Sequence, residues 1–151
     1  MVSINGLSSV FPDNKVFQYE IKDLGRKLFS SRSSFKKMEK VYDNSGVNKR
    51  YLTQELNWYL SEHNWSERNI LFKKNTISLL RKSILQTIEK TNTKPNKIGG
   101  IIFVNSTGIS TPTIDAEIFN LFGFDNQILR LPIFGYGCAG GVLGLNRAVT
   151  I

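Results

Sequence analysis

The 151-residue sequence contains a single cysteine, Cys138, and a single histidine, His63. One cysteine cannot form a disulfide within the chain, and the usual metal-ligand spacings of Cys and His are absent. No apolar run approaches the roughly 18 residues that a membrane-spanning helix needs. The first residues also lack the basic-then-apolar pattern of a secretory signal. We therefore expect a cytoplasmic protein with no metal site and no membrane span.

The composition is that of a folded globular protein. Hydrophobic residues make up 40% of the chain and charged residues 21%, which excludes global disorder. A chain of this length is as long as one ordinary domain and can enclose a hydrophobic core without disulfides. The sequence therefore predicts one domain rather than two.

Positive charge is unevenly distributed along the chain. The net charge is +8, and residues 1–97 hold 18 basic and 9 acidic side chains, whereas residues 98–151 hold 2 and 3. The densest basic stretch runs from Arg26 to Arg50. Such a surface attracts phosphates on nucleic acid, on anionic lipid or on a nucleotide-bearing cofactor, although it can also be a solvated helix face.

Hydrophobic periodicity predicts alternating helices and strands. The spacing of apolar residues favours helices over residues 19–29, 35–42, 67–91 and 114–122, and a last helix from Ala139 onward. Short apolar runs favour buried strands over residues 98–105 and 128–134, and residues 2–12 are predicted as a further strand. Ser66 is suited to cap the long helix, and Gly123 to end the helix over 114–122. This order of elements is typical of an α/β fold.

The feature of greatest chemical interest is Cys138, which follows one predicted strand and precedes the last predicted helix. Four glycines surround it: Gly135, Gly137, Gly140 and Gly141. Glycine permits a tight turn and a close approach of substrate to the backbone. A helix N-terminus presents free N–H groups that stabilise a thiolate, the reactive form of cysteine. The pattern favours Cys138 as a nucleophile over the alternative of a buried, inert side chain.

A cysteine nucleophile needs a base and groups that stabilise an oxyanion. The one histidine, His63, lies in a polar segment with no spacing that relates it to Cys138, and we expect it to be an exposed loop residue. The nearby aromatic residues Trp58, Tyr59 and Trp65 are expected to pack rather than to stack on bases. The sequence thus supplies a nucleophile without a recognisable partner.

Four blocks of sequence occur in order: VYDNSGVNKRY at 41–51; WYL at 58–60 with SERN at 66–69; FVNSTGISTPTID at 103–115; and LPIFGYGCAGG at 131–141. In these blocks the chain resembles the N-terminal half of type III polyketide synthases, the chalcone synthase-like branch of the thiolase superfamily. The likeness is greatest to bacterial alkylresorcinol and alkylpyrone synthases. It covers residues 41–148, most of the chain.

The resemblance implies roles for individual residues near the cysteine. Cys138 would take an acyl group from a CoA thioester and hold it while malonyl-CoA is decarboxylated and condensed onto it. Ser106 and Thr107 would lie beside the starter or cyclisation pocket. Thr111 would reach across a dimer toward the partner's active site.

The resemblance also implies a binding site for CoA. Family members hold the CoA phosphates with basic residues before an Arg-Tyr pair, which offers Lys49, Arg50 and Lys40 here, although the segment is less basic than in plant members. CoA thioesters would be substrates, and no other cofactor is implied. The partners would be acyl-CoA, malonyl-CoA and, for the full-length protein, a second copy of the chain.

The fold implied by the resemblance is the N-terminal half of a thiolase-like αβαβα layered fold, over residues 1–151. The family's catalytic His and Asn come from the C-terminal half. We therefore expect residues 1–151 to be a truncated N-terminal domain that is inactive alone. An exposed sheet edge and an exposed apolar face on the last helix would make it prone to aggregate.

Three other interpretations fit parts of the sequence. A ketoacyl-acyl carrier protein synthase of the third kind would share the nucleophile, but its cysteine turn usually reads Ala-Ala-Cys-Ala-Gly rather than Tyr-Gly-Cys-Ala-Gly. A noncatalytic basic module could bind nucleic acid, but the near-neutral, glycine-rich last third argues against a nucleic-acid partner. A degenerate homologue would keep the fold with an inert Cys138.

Overall fold

A computed structural model describes residues 2–151, which form two compact units. One unit contains the N-terminal residues up to Val10 together with Trp65–Ile151, and the other contains Phe11–Asn64. Each unit has its own two-stranded sheet.

The unit of residues 11–64 is built on an antiparallel pair of strands, in which Val16 lies opposite Arg50. Its short helices lie between the two strands in the sequence, and Gly25 of the first helix packs closely against the Tyr42 hydroxyl. The elements are β1 (Asn14–Phe17), α1 (Gln18–Phe29), α2 (Phe35–Met38), α3 (Lys40–Asn44), β2 (Lys49–Leu52) and a 3-10 helix (Leu56–Leu60).

The larger unit contains a β-α-β arrangement preceded by a long helix and followed by a short one. Its two strands are parallel, with Gly100 opposite Leu129 and Asn105 opposite Phe134. A parallel pair needs a crossover connection, and a helix supplies it here. The elements are α4 (Trp65–Thr91), a 3-10 helix (Pro95–Lys97), β3 (Gly100–Asn105), α5 (Ile114–Phe122), β4 (Leu129–Phe134), a 3-10 helix (Gly137–Ala139) and α6 (Gly140–Thr150).

Strand β3 is covered on both faces because successive side chains of a strand point to opposite sides. On one face Phe103 packs with Ile114 and Ile118 of α5, and half-buried side chains of α4 pack against this core. On the other face Val104 contacts the glycines of α6. The unit is therefore layered as helices α4 and α5, then the sheet, then α6.

Helix α6 is packed on one side and exposed on the other. Gly140 and Gly144 are buried, whereas Val142, Leu145 and Val149 are 73%, 59% and 58% exposed. The apolar face expected on the last helix is therefore present. Within residues 2–151 no helix is both long enough and apolar enough to cross a membrane.

Most of the predicted elements are confirmed to within two residues at each end. They are the helices over 19–29, 67–91 and 114–122 and the strands over 98–105 and 128–134. Gly123 ends α5 in the left-handed conformation, with φ +61°.

Three predictions about elements are wrong. Residues 2–12 are not a strand, because their polar contacts go to a helix: Ser83 Oγ donates to the Ser8 carbonyl and Lys90 Nζ to the Leu7 carbonyl of this segment. Ser66 does not cap α4, which already begins at Trp65. The helix predicted over 35–42 is divided at Glu39 into α2 and α3.

Candidate active site

Cys138 lies on the single 3-10 turn that joins β4 to α6, and its side chain is exposed. Gly135 and Gly137, on the approach to the cysteine, have φ angles of +85° and +52°. This left-handed conformation is readily available to glycine and strained for other residues. The two glycines therefore allow the chain to turn sharply and present the thiol to solvent.

The start of α6 is held against β3 immediately after the cysteine. A Cβ added at Gly140 or Gly144 would lie 2.7 or 2.8 Å from a methyl group of Val104, whereas one added at Gly141 would meet no atom within 4 Å. Glycine is thus required at the two positions that face the sheet. This close approach fixes the helix end on which the cysteine turn rests.

Ser106 contacts the cysteine turn directly. The Gly137 N–H donates to Ser106 Oγ over 3.0 Å, and the Gly135 N–H donates to the Asn105 carbonyl over 3.1 Å. The two contacts arise because parallel strands present their carboxyl ends at the same edge of a sheet, where ligands of α/β folds commonly bind. Ser106 and Cys138, singled out separately in the sequence, therefore lie at the same edge of the sheet.

The loop that follows β3 is fixed by two residues of α4. The Asn69 side chain makes two hydrogen bonds with the main chain of Ile109, of 2.8 and 3.0 Å. The ring of Phe72 packs so closely on Gly108 that a Cβ there would lie 2.0 Å from it. Asn69 and Phe72 are three residues apart on one face of α4, and together they hold the loop over 106–113.

A cavity of about 260 Å³ opens between this loop and the ends of the two strands. Thr107 and Thr111 are exposed on the same loop but are not among the residues that line the cavity. Asn105 Oδ1 is buried and has no hydrogen-bond partner within residues 2–151. The lining residues are Phe103, Asn105, Gly108, Ile109, Ser110, Thr113, Ile114, Pro132, Ile133 and Phe134.

An ion pair between a buried carboxylate and an exposed arginine lies at the start of α5. Asp115 is 1% exposed, and its Oδ2 accepts a hydrogen bond from Arg130 Nη1 of β4 over 3.2 Å. Its other oxygen, Oδ1, is buried without a partner in the described part of the chain. The carboxylate therefore depends on Arg130 and on the N-terminus of α5 for its stabilisation.

The sequence predicted that His63 is an exposed loop residue, but the structure places it in a packed environment. Its ring is half-buried and stacks on Trp58 with a centroid distance of 3.8 Å, and its Nε2 lies 2.9 Å from the Trp58 carbonyl. Trp58 also meets Tyr59 edge to face at 5.0 Å. Trp58 and Tyr59 therefore pack, as predicted, whereas Trp65 is 57% exposed.

The three predicted CoA-binding residues lie in the unit of residues 11–64. Lys49 and Arg50 are consecutive on β2, so their side chains point to opposite faces of that strand. Arg50 Nε donates to the Gln18 side chain over 3.0 Å, whereas Lys49 Nζ lies 5.9 Å from the Tyr51 ring centroid. Lys40 is exposed at the start of α3. Lys49 and Arg50 therefore do not both face a phosphate that lies on one side of β2.

Within residues 2–151 no three side chains of His, Cys, Asp or Glu are grouped so that they could hold a metal ion.

Sequence reasoning overlooked Asn69, Asn105 and the Asp115–Arg130 pair. Asn69 belongs to the SERN block, which carried part of the resemblance, but its partner Ile109 is 40 residues away. Asp115 lies in the first turn of α5, where the helix dipole alone would account for a carboxylate. The sequence signal that could have indicated its burial is its position between the apolar residues Ile114 and Ala116 in a segment predicted to pack.

The chain matches the family model for chalcone and stilbene synthases, N-terminal domain, over residues 2–151. It is 33% identical over 138 residues to the Bacillus subtilis protein named "Putative chalcone synthase", a match that covers 88% of this chain and 35% of the relative. It is 26% identical over 137 residues to 1,3,6,8-tetrahydroxynaphthalene synthase of Streptomyces griseus, covering 91% and 37%.

Solved structures show the same fold. The Streptomyces coelicolor 1,3,6,8-tetrahydroxynaphthalene synthase superposes with a TM-score of 0.85 at 24% identity, over 96% of this chain and 41% of that one. CsyB in complex with CoA-SH gives a TM-score of 0.84 at 23% identity, over 96% and 40%. The α/β thiolase-like fold is therefore confirmed, and the chain spans little more than a third of the length of these proteins. With a family model matched over residues 2–151, the chain belongs to the chalcone and stilbene synthases, the type III polyketide synthase family, and corresponds to their N-terminal domain.

Proposed function

We propose that residues 2–151 supply the nucleophile and part of the substrate pocket of a type III polyketide synthase that condenses an acyl-CoA starter with malonyl-CoA. The observation that carries this proposal is the exposed thiol of Cys138 on a glycine turn, held by Ser106 at the carboxyl edge of β3 and β4. Family membership supports it, since the relatives include a named naphthalene synthase and an acylalkylpyrone synthase.

In the proposed reaction the Cys138 thiolate attacks the carbonyl carbon of the starter thioester. A new C–S bond forms, the old one breaks, and CoA leaves as its thiolate. Malonyl-CoA then loses CO2, and the resulting carbanion attacks the cysteine-bound acyl group and frees the Cys138 thiolate. Ser106 holds the turn in place, while Thr107 and Thr111 are proposed to contact the growing chain, Thr111 from across a homodimer.

Lys40, Lys49 and Arg50 are proposed to contact the phosphates of CoA. All three are exposed cations, and the CsyB structure in complex with CoA-SH supports a CoA site in a protein of this fold. Because Lys49 and Arg50 point to opposite faces of β2, we propose that at most one of them contacts a given phosphate. No cofactor other than the CoA thioesters is proposed.

Residues 1–151 are proposed to be the N-terminal domain of the catalytic unit, with the decarboxylating His and Asn in a C-terminal half. The test is malonyl-CoA decarboxylation by the purified 151-residue chain, followed as acetyl-CoA by mass spectrometry. We expect no acetyl-CoA above the buffer control. If acetyl-CoA formed in proportion to the protein concentration, and none formed with Cys138→Ala, the proposal that decarboxylation needs the C-terminal half would be contradicted.

The nucleophile is tested in a chimera in which residues 2–151 replace the matching segment of the Bacillus subtilis relative. The chimera is expected to release CoA from acyl-CoA and malonyl-CoA mixtures, and Cys138→Ala to lower that rate by about a thousandfold or more. A chimera that keeps its activity without Cys138 would refute the assignment.

A second measurement does not depend on folding of the chimera. Iodoacetamide at neutral pH is expected to alkylate Cys138 in the folded 151-residue chain faster than it alkylates the double variant Cys138→Ala/Thr150→Cys, in which the thiol is at an exposed position of α6. Alkylation of Cys138 that is slower than this reference would favour a degenerate, noncatalytic homologue.

A further inference from the structure

An apolar groove lies in the unit of residues 11–64, and it shares no lining residue with the cavity beside β3 and β4. Its volume is about 250 Å³, and the wall contains a chain of aromatic rings: Phe29 to Phe35 at 5.7 Å and Phe35 to Tyr42 at 6.3 Å between centroids. Met38 and Val41, which also line it, are 61% and 64% exposed. The remaining lining residues are Arg32 and Ser34.

The acidic side chains around the groove are already neutralised inside the unit. Arg26 binds Asp23 over 2.9 Å and also binds Glu39, while Lys22 binds Asp43 over 2.8 Å and lies 3.9 Å from Glu39. The hydrogen bond to Glu39 is the main cause that raises the pKa of Arg26 above its ordinary value. Two cations thus account for all three carboxylates of residues 21–45.

Five further cations of the same segment have no carboxylate partner within residues 2–151. Arg32 lies over the Phe29 ring, 5.3 Å from its centroid, so its charge is held at the mouth of the groove. Lys36 and Lys37 come between the lining residues Phe35 and Met38 in helix α2. The unpaired cations are Lys27, Arg32, Lys36, Lys37 and Lys40.

From this juxtaposition we infer that the groove and the neighbouring Lys36 and Lys37 form a docking surface for an anionic lipid membrane. Unpaired lysines and arginines are attracted to the negative potential of such a surface, and exposed aliphatic or thioether side chains insert among the lipids. The exposed apolar residues here are Met38 and Val41, which cannot stack on bases, while the aromatic rings of the groove are half-buried. This chemistry fits lipid better than nucleic acid.

Vesicle co-sedimentation of the 151-residue chain tests the inference. The probes are phosphatidylcholine vesicles with and without about 30% phosphatidylserine, in about 0.1 M salt. We expect binding to the anionic vesicles, weak binding to pure phosphatidylcholine, and release at about 0.5 M salt. Each lysine near an anionic surface contributes about fivefold in affinity, so Lys36→Gln/Lys37→Gln should weaken binding by on the order of tenfold or more.

Two further variants separate this surface from other parts of the chain. Met38→Ser/Val41→Ser should weaken binding several-fold with the net charge unchanged. The matched control, Lys94→Gln/Lys97→Gln, removes the same charge from exposed positions in the other unit and should bind within about twofold of the wild type.

The inference would be overturned by equal binding to both kinds of vesicle, or by an equal loss in the Lys94→Gln/Lys97→Gln control. Loss of binding in Val142→Ser/Leu145→Ser, which alters the exposed face of α6, would likewise assign the contact to another surface. Tighter, salt-sensitive binding to a single-stranded oligonucleotide than to anionic vesicles would assign the cations to nucleic acid instead.

Discussion

The side-chain amide of Asn69 pairs with the main chain of Ile109 much as one strand pairs with another. Its Nδ2 donates to the Ile109 carbonyl over 2.8 Å, and its Oδ1 accepts from the Ile109 N–H over 3.0 Å. Asparagine is the natural residue for this role because it offers a donor and an acceptor on one planar group. The pair connects helix α4 to the loop that carries the candidate pocket residues.

Replacing Asn69 with alanine is expected to loosen that loop. The variant Asn69→Ala should lose about 1–2 kcal/mol of unfolding free energy, because two hydrogen bonds disappear at a partly exposed position. Urea denaturation measures the loss, and the Ile109 amide should exchange with deuterium faster than in the wild type. In the control Asn75→Ala, whose bond to the Leu71 carbonyl stays within α4, exchange at Ile109 should not change.

The two helical glycines that face β3 are expected to behave differently from their neighbour. In Gly144→Ala the new Cβ meets the stiff, β-branched Val104, so we expect a loss of about 1–3 kcal/mol. In Gly141→Ala the Cβ enters open space, and helix propensity predicts a gain of up to about 1 kcal/mol. Thermal and urea unfolding give both values.

A double variant identifies the cause of the glycine effect. If contact with Val104 is responsible, Gly144→Ala should cost less in a Val104→Ala background than in the wild type. Equal costs in both backgrounds would show that the space between α6 and β3 is not what requires glycine.

Ser106→Ala is expected to remove one hydrogen bond that holds the cysteine turn. The Gly137 N–H loses its acceptor, so its amide should exchange faster, with a stability loss of no more than about 1 kcal/mol because the bond is exposed. Ser110→Ala is the matched control, since the Ser110 hydroxyl donates to the Pro112 carbonyl and not to the turn. The same exchange rate at Gly137 in wild type and Ser106→Ala would count against this contact.

Removing Arg130 should be costly because it leaves Asp115 as a buried charge without a cation. We expect Arg130→Met to lose about 2–3 kcal/mol of unfolding free energy. Adding Asp115→Asn should recover part of that loss, since the uncompensated charge is then gone. Arg147→Met, at an exposed position of α6, should change stability by less than about 0.5 kcal/mol.

The sequence was sufficient for elements whose pattern is local. Strand β3 and helix α5 could be predicted because their apolar residues repeat at one period and Gly123 marks the helix end. Strands β1 and β2 could not, since each has four residues and pairs with a partner more than thirty residues away. The strand predicted over residues 2–12 rests on a local pattern that ends at Pro12, and such a pattern does not reveal whether a neighbouring strand exists.

In the candidate site, too, features that depend on neighbouring residues could be predicted, and contacts between distant residues could not. The cysteine turn could be predicted because its glycines are adjacent in sequence, and two of them do adopt left-handed angles. The contact of Ser106 with Gly137 depends on the parallel pairing of β3 and β4, which no local pattern specifies. The roles of Thr107, Thr111, Lys40, Lys49 and Arg50 remain predictions.

The arrangement of α6 makes it possible to alter one exposed apolar face without altering the fold. At about 100° per residue, Val142, Leu145 and Val149 fall on the side of the helix away from Gly140 and Gly144. One stripe seats the helix on β3, and the other faces solvent. Polar residues placed in the outer stripe would therefore change the solvent-facing surface of α6 and leave the contacts that seat it on β3 unchanged.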